Sequence, residues 1–165
     1  MRKFVIIGNN GTGKTILLKL LMDEMKGKSL NVGYFPQDYF EILDDDLSGI
    51  EWLEKTTKID EHIVRAYMGS VRFTREEMVK KISDYSGGQK AKLCILRLIL
   101  NGSNVLVLDE PTRNFSPLSN PVLREALIDY PGCIISISHD RKFIEEVADK
   151  VYTLSVNGLK QKENN

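Results

Sequence analysis

The segment that most narrows what this chain can become is Gly8-Asn9-Asn10-Gly11-Thr12-Gly13-Lys14-Thr15: a glycine, four residues, then Gly-Lys-Thr. Phe4 to Ile7 before it is a short apolar run rich in β-branched residues, which predicts a strand buried on both faces. Ile16 to Met25 after it carries apolar residues at helical spacing and closes near Gly27. A glycine-rich turn between a buried strand and a helix brings backbone N–H groups close around an anion, and the helix directs its positive end to the same place. Lys14 is then placed to reach β- and γ-phosphates, and the Thr15 hydroxyl to ligate Mg²⁺. The competing reading is an ordinary turn before a core helix. Average composition gives such a pattern by chance in roughly one chain per hundred of this length, and the flanking strand and helix lower that further.

The remainder alternates in the same way. Val32 to Phe35, Val105 to Leu108, Cys133 to Ser138 and Val151 to Leu154 read as further short strands. Helices are expected from Ser86 to Leu100, from Asn120-Pro121 to near Tyr130, and from His139 to about Ala148. Alternation of this kind implies an α/β domain with a mainly parallel sheet flanked by helices. Asp38 to Asp84 differs, being charged and amphipathic with no strand signal, and reads as a small helical subdomain. Within it, Thr74-Arg75-Glu76-Glu77 is a capping box opening a helix through Ile82, and Asp44-Asp45-Asp46 reads as a solvated turn. The tail after Lys160 is polar and expected to fray.

Four further groups bear on chemistry. Asp109-Glu110 follows a buried strand; Asp109 suits Mg²⁺ through its water shell and Glu110 suits polarising an attacking water, against the plainer reading of a surface turn. Gln37 follows the second strand and can offer its amide oxygen to Mg²⁺ or water, although a loop glutamine alone carries little weight. His139 ends a strand, where a neutral imidazole can meet a γ-phosphate, although such a histidine is more often structural. Ser86-Gly87-Gly88-Gln89 is a capping box, yet two glycines at a helix start cost ~1 kcal/mol each against alanine. They suit a second place where backbone meets phosphate.

Bulk properties set the surroundings. At 165 residues the chain is one domain's worth of material, and its zero net charge gives no pointer to nucleic acid or an acidic membrane. No run approaches the ~18 apolar residues of a membrane span, and no signal peptide is visible, so a cytoplasmic location without direct membrane insertion is expected. Cys94 and Cys133 sit in apolar stretches and read as buried thiols rather than a disulfide.

Taken in order and spacing, the phosphate loop, Gln37, Ser86-Gly87-Gly88-Gln89, Asp109-Glu110-Pro111-Thr112 and His139 resemble an ATP-binding cassette over nearly the whole chain. The resemblance implies a P-loop NTPase fold spanning 1–165 as one domain, with 38–85 and part of the next helix as the helical insert. It also implies ATP and Mg²⁺ as cofactors, ATPase activity, and a second cassette whose ATP is met by Ser86, Gly87, Gly88 and Gln89. Val32-Gly33-Tyr34-Phe35-Pro36-Gln37 and Ser136-Ile137-Ser138-His139-Asp140-Arg141-Lys142-Phe143 look like the ABC-F branch, which works on ribosomes. Such proteins carry two cassettes joined by a helical linker, so this chain resembles a C-terminal cassette alone.

Three positions depart from the family pattern. Few residues precede Gly8, so the N-terminal antiparallel β region with its adenine-stacking aromatic is largely missing. Arg113-Asn114-Phe115-Ser116 replaces the usual Asn-His-Leu-Asp, and Tyr85 replaces a leucine. Alternatives to an ABC-F-like translation or antibiotic-resistance factor are the energising subunit of a membrane transporter, docking its partner beside Gln37, and a non-hydrolysing nucleotide-dependent interaction module. A chromosome-maintenance ATPase fits poorly, since Asp38 to Tyr85 has no room for its coiled coil.

Overall fold

The fold is that of a computed structural model, which describes residues 2–113 and 120–162. The chain divides into two compact units: Met1–Gln37, Ser103–Arg113 and Leu127–Asn165 form one, and Asp38–Gly102 with Asn114–Ala126 the other.

The first unit is built on a six-stranded sheet. Its strands are β1 (Lys3–Ile7), β2 (Val32–Phe35), β3 (Val105–Asp109), β4 (Cys133–Ile137), β5 (Lys150–Ser155) and β6 (Gly158–Gln161), in the order β2-β3-β4-β1-β5-β6. All neighbours pair in parallel except β5 and β6. The continuous Val-Leu-Val-Leu run of β3 is buried throughout, as a strand covered on both faces must be. Helix α1 (Lys14–Met25) sets Leu18 into a core with Ile6, Val105, Val107 and Ile137. Parallel pairing has a consequence for function: the loops leaving β1, β3 and β4 emerge from the same edge of the sheet. The chain leaves β1 for β2 on one side and returns through β4 to β5 on the other, so β1 lies where the strand order reverses, the place where such sheets take ligands.

The second unit is helical in its described residues: α2 (Gly49–Thr57), α3 (Glu61–Ser70), α4 (Arg75–Met78) and α5 (Gly87–Leu100), before the start of α6 (Asn120–Asp129). The capping box of α2, Ser48 with Glu51, fixes where that helix begins. Its buried face carries Trp52 and Leu53, which share the unit's interior with Val64, Met68, Ile82 and Leu93. The three aspartates form the expected turn, each facing a lysine: Asp44 with Lys55 (3.2 Å), Asp45 with Lys90 (3.0 Å) and Asp46 with Lys81 (3.9 Å).

Three expectations need correction. The helix opened by Thr74 does not reach Ile82; α4 ends at Met78. The Ile82 N–H donates instead to the Leu47 carbonyl (2.9 Å), and Lys81 bridges to Ser48, so pairing with a distant segment overrides helix propagation. Directly after Lys160 the tail is held rather than frayed, because Gln161 pairs with Tyr152 of β5 and the Lys162 N–H donates to the Val151 carbonyl (2.8 Å); residues 163–165 lie outside the described residues. Cys133 is half-buried rather than buried; both thiols are free. Asn114, Phe115 and Ser116 lie outside the described residues. Closing the first unit, α7 (Arg141–Val147) is capped by Asp140, whose Oδ1 accepts from the N–H groups of Lys142 and Phe143.

Candidate phosphate-binding site

The loop between β1 and α1 is shaped by two constraints. At Gly8 a Cβ would lie 2.5 Å from the Leu154 carbonyl oxygen of β5, so no side chain fits where the loop leaves the sheet. At the other end Gly13, with φ of 85°, is the N-cap from which α1 starts. Between them, Thr12 donates its hydroxyl to the Asn9 carbonyl (2.9 Å). Lys14 is 9% exposed and donates to the carbonyls of Gly8 (2.8 Å) and Asn9 (2.9 Å), so its ammonium lies within the loop's own curve. A cation held there beside the unpaired first-turn amides of α1 gives a strongly electropositive cradle for phosphate.

Across the sheet edge, the Thr15 hydroxyl donates to Asp109 Oδ2 (2.8 Å). Asp109 is 2% exposed and ends β3. Burial, and after it the charge of Asp109, raises the pKa of the Tyr34 hydroxyl on β2. The adjoining Glu110 adopts φ of 52°, a left-handed conformation unusual for a residue other than glycine and costing of order 1 kcal/mol. It is held by its N–H donating to the Ile137 carbonyl (3.0 Å), which turns the side chain toward His139. His139 Nε2 lies 3.3 Å from Glu110 Oε1, and the His139 N–H donates to Glu110 Oε2 (3.4 Å).

Lys14, Thr15, Asp109, Glu110 and His139 line one cleft of about 840 Å³, together with Asn10, Gly11, Gly13 and Gln37. A second hollow of about 560 Å³ touches Gly8, Asn9, Asn10, His139 and Thr153. Sequence reasoning did not place Ile16, Arg113 or Asp140 in the cleft, yet all three line it. Arg113 stood out only as a departure from the family pattern, and Asp140 only as the neighbour of His139. The structure does not put Ser86, Gly87, Gly88 and Gln89 among the cleft residues; they belong to the second unit. There the Ser86 Oγ accepts from the Gln89 N–H (3.2 Å) and Gln89 Oε1 accepts from the Ser86 N–H (2.9 Å), the reciprocal capping box expected at the start of α5.

The oxygen donors suit magnesium. Thr15 and Asp109 offer a hydroxyl and a carboxylate side by side, and among the described residues no group of three or more acidic, histidine or cysteine side chains forms a complete protein cage. Mg²⁺ is commonly held in this way, by one or two protein oxygens together with phosphate oxygens and water.

The family model described as ABC transporter matches residues 2–113 of this sequence. The chain belongs to that family. Among its relatives are cassettes of the ABC-F type: it is 37% identical to ABC transporter F family member 2 of Arabidopsis thaliana, over 95% of this chain and 25% of that protein. It is 36% identical to ABC transporter F family member 5 of the same plant, over 90% of this chain and 23% of that one. Across the first curated relatives it matches, the cassette spans 26% to 32% of their length. Among solved structures its fold resembles the ATP-binding cassette MJ0796 in a dimeric post-hydrolysis state bound to ADP and Pi, with a TM-score of 0.78, 15% identity, and 99% of this chain and 87% of that one covered. No helix among the described residues is long and apolar enough to cross a membrane.

Proposed function

We propose that this cassette binds Mg-ATP at Gly8 to Thr15, hydrolyses it with Glu110 when closed against a second cassette, and serves as an ATP-driven clamp in an ABC-F-like factor acting on the ribosome. The observation that carries the catalytic part is the convergence of Lys14, the Thr15–Asp109 pair and the strained Glu110 on one cleft.

The residues divide the work as follows. Backbone amides from Gly11 to Thr15 and the α1 dipole hold the phosphate chain. Lys14 is already poised in the loop, and exchanges two carbonyl partners for β- and γ-phosphate oxygens. Thr15 and Asp109 hold Mg²⁺, which when bound neutralises charge on those oxygens. Glu110 orients water for in-line attack and its carboxylate accepts the proton that the water loses. His139, in contact with both Glu110 oxygens through its ring and its N–H, fixes that carboxylate and reaches toward the γ-phosphate. Gln37, exposed at the cleft rim, offers its amide oxygen to the metal or the water. Ser86, Gly87, Gly88 and Gln89 face the ATP held by the opposite cassette.

Support for the ribosomal assignment comes from the ABC-F-type relatives and from the branch-like segments around Gln37 and His139. Two assays test the reading. Phosphate release from Mg-ATP at high protein concentration is expected, and expected to slow by ~10²–10⁴ in Glu110→Gln; no turnover in the unaltered chain paired with its partner cassette favours a non-hydrolysing module. ATP-dependent co-sedimentation of the intact parent protein with ribosomes is expected; co-purification with a membrane protein instead favours a transporter subunit.

A further inference from the structure

In the second unit, one carboxylate joins two helix starts. Thr74 opens α4: its Oγ accepts from the Glu77 N–H (3.2 Å), and Glu77 Oε2 accepts from the Thr74 N–H (2.8 Å). Ser86 opens α5 in the same reciprocal manner with Gln89. The two boxes meet because Glu77 Oε1 accepts from Gln89 Nε2 (2.9 Å). The Tyr85 hydroxyl, just before the Ser-Gly-Gly-Gln segment, donates to the Glu77 carbonyl (2.7 Å). One turn further along α5, the buried Lys92 donates to the Val71 carbonyl (2.9 Å), lies 4.6 Å from the Phe73 ring, and feels the Glu77 charge.

From this geometry we infer that Glu77 is a positioning residue for the Ser86 to Gln89 segment, setting the form in which the α5 N-terminus meets the nucleotide of a second cassette. The inference deepens the clamp reading above and rests on it. Its physical basis is a count of donors and acceptors. Ser86 N–H requires the Gln89 oxygen, so the Gln89 amide must turn its NH₂ outward. Glu77 meets that NH₂ with an oxygen and still has another for the Thr74 N–H. A glutamine at 77 has a single acceptor oxygen and cannot serve both donors. One of the two bonds is then lost, and the Gln89 amide is free to flip, setting a donor against the Ser86 N–H. A charge-assisted hydrogen bond is also stronger than its neutral counterpart, so the carboxylate holds this orientation more firmly than an amide can. The link thus holds the Gln89 amide in the orientation that the α5 box uses and ties that helix start to the start of α4.

The test uses the Glu110→Gln chain, which retains Mg-ATP, and measures its self-association by sedimentation velocity with and without Mg-ATP. Adding Glu77→Gln is expected to raise the dimer Kd roughly tenfold, the loss of one charge-assisted bond, while Mg-ATP affinity of the monomer by calorimetry stays within about twofold. Glu77→Asp keeps the charge beside Lys92 but shortens the reach to Gln89, and is expected to weaken the dimer as well. Thr74→Ala removes half of the α4 cap without touching the Glu77–Gln89 bond; it should lower Tm yet leave the dimer Kd within about twofold. A dimer unaffected by Glu77→Gln and Glu77→Asp, or weakened as much by Thr74→Ala, overturns the positioning role. Failure of the Glu110→Gln parent itself to associate with Mg-ATP is a different result: it overturns the clamp reading, and the inference with it.

Discussion

Glu110 concentrates the argument at the level of single residues. Its left-handed backbone is maintained against a conformational cost, and the gain is a carboxylate placed beside His139 and within the same cleft as Lys14. Glu110→Gln is nearly isosteric, so Mg-ATP binding should survive while single-turnover phosphate release slows by ~10²–10⁴, the usual worth of a positioned base. Asp109→Asn should act differently. It removes a buried negative charge that accepts from Thr15, so Mg²⁺-dependent ATP affinity should fall along with turnover, read by titrating Mg²⁺ at fixed ATP. The identities of these residues were legible in the sequence because their chemistry follows strand ends. What the sequence did not reveal was that Lys14 is satisfied by two loop carbonyls, or that Arg113 lines the cleft, since both depend on how the backbone curves after the strand.

Strands and helices were legible in proportion to how fully they are buried. The run Val105 to Leu108 could be read directly because both faces of β3 need apolar cover. Strand β6 escaped notice because all four of its residues are exposed and carry no apolar pattern; the Asn157-Gly158 pair, a strong hairpin signal, was the clue available. Helix α4 was overestimated because a good N-cap says where a helix starts and nothing about where tertiary pairing stops it. In the same unit the Gly49–Tyr85 contact gives a test of packing. A Cβ at Gly49, on the first turn of α2, runs into the Tyr85 hydroxyl, so Gly49→Ala should destabilise by about 1–3 kcal/mol. Tyr85→Phe alone loses the bond to the Glu77 carbonyl, but in the Gly49→Ala background it removes the nearest clash, that with the hydroxyl, leaving Met68 Cε as the close neighbour. Urea denaturation of the four chains should therefore show a coupling in which the double variant is more stable than the sum of the singles.

Over the whole molecule, pH sets a limit on stability through buried acids. Burial pushes the Cys94 thiol up to about 12 and the Tyr85 hydroxyl likewise to about 12, from ordinary values of 9.0 and 10.0. Both ionise first in the unfolded chain, so their contribution is complete below about pH 9 and is lost as pH rises toward 12. Lys92, lowered by burial, acts in the opposite sense just below its ordinary 10.5. Two strongly raised acids against one lowered base give a net fall. The urea midpoint should drop between pH 9 and 11, and Cys94→Ala and Tyr85→Phe should each flatten the decline. At this scale the sequence was most informative about family and least about assembly, because the order of motifs is local while the role proposed for Ser86 to Gln89 needs a second cassette. The claim on which the rest depends is that triphosphate sits in the loop curved around Lys14. Isothermal titration of the chain with Mg-ATP tests it most directly: one saturable site is expected, reduced at least tenfold in affinity by Lys14→Ala, whereas equal binding by the two chains would contradict the account.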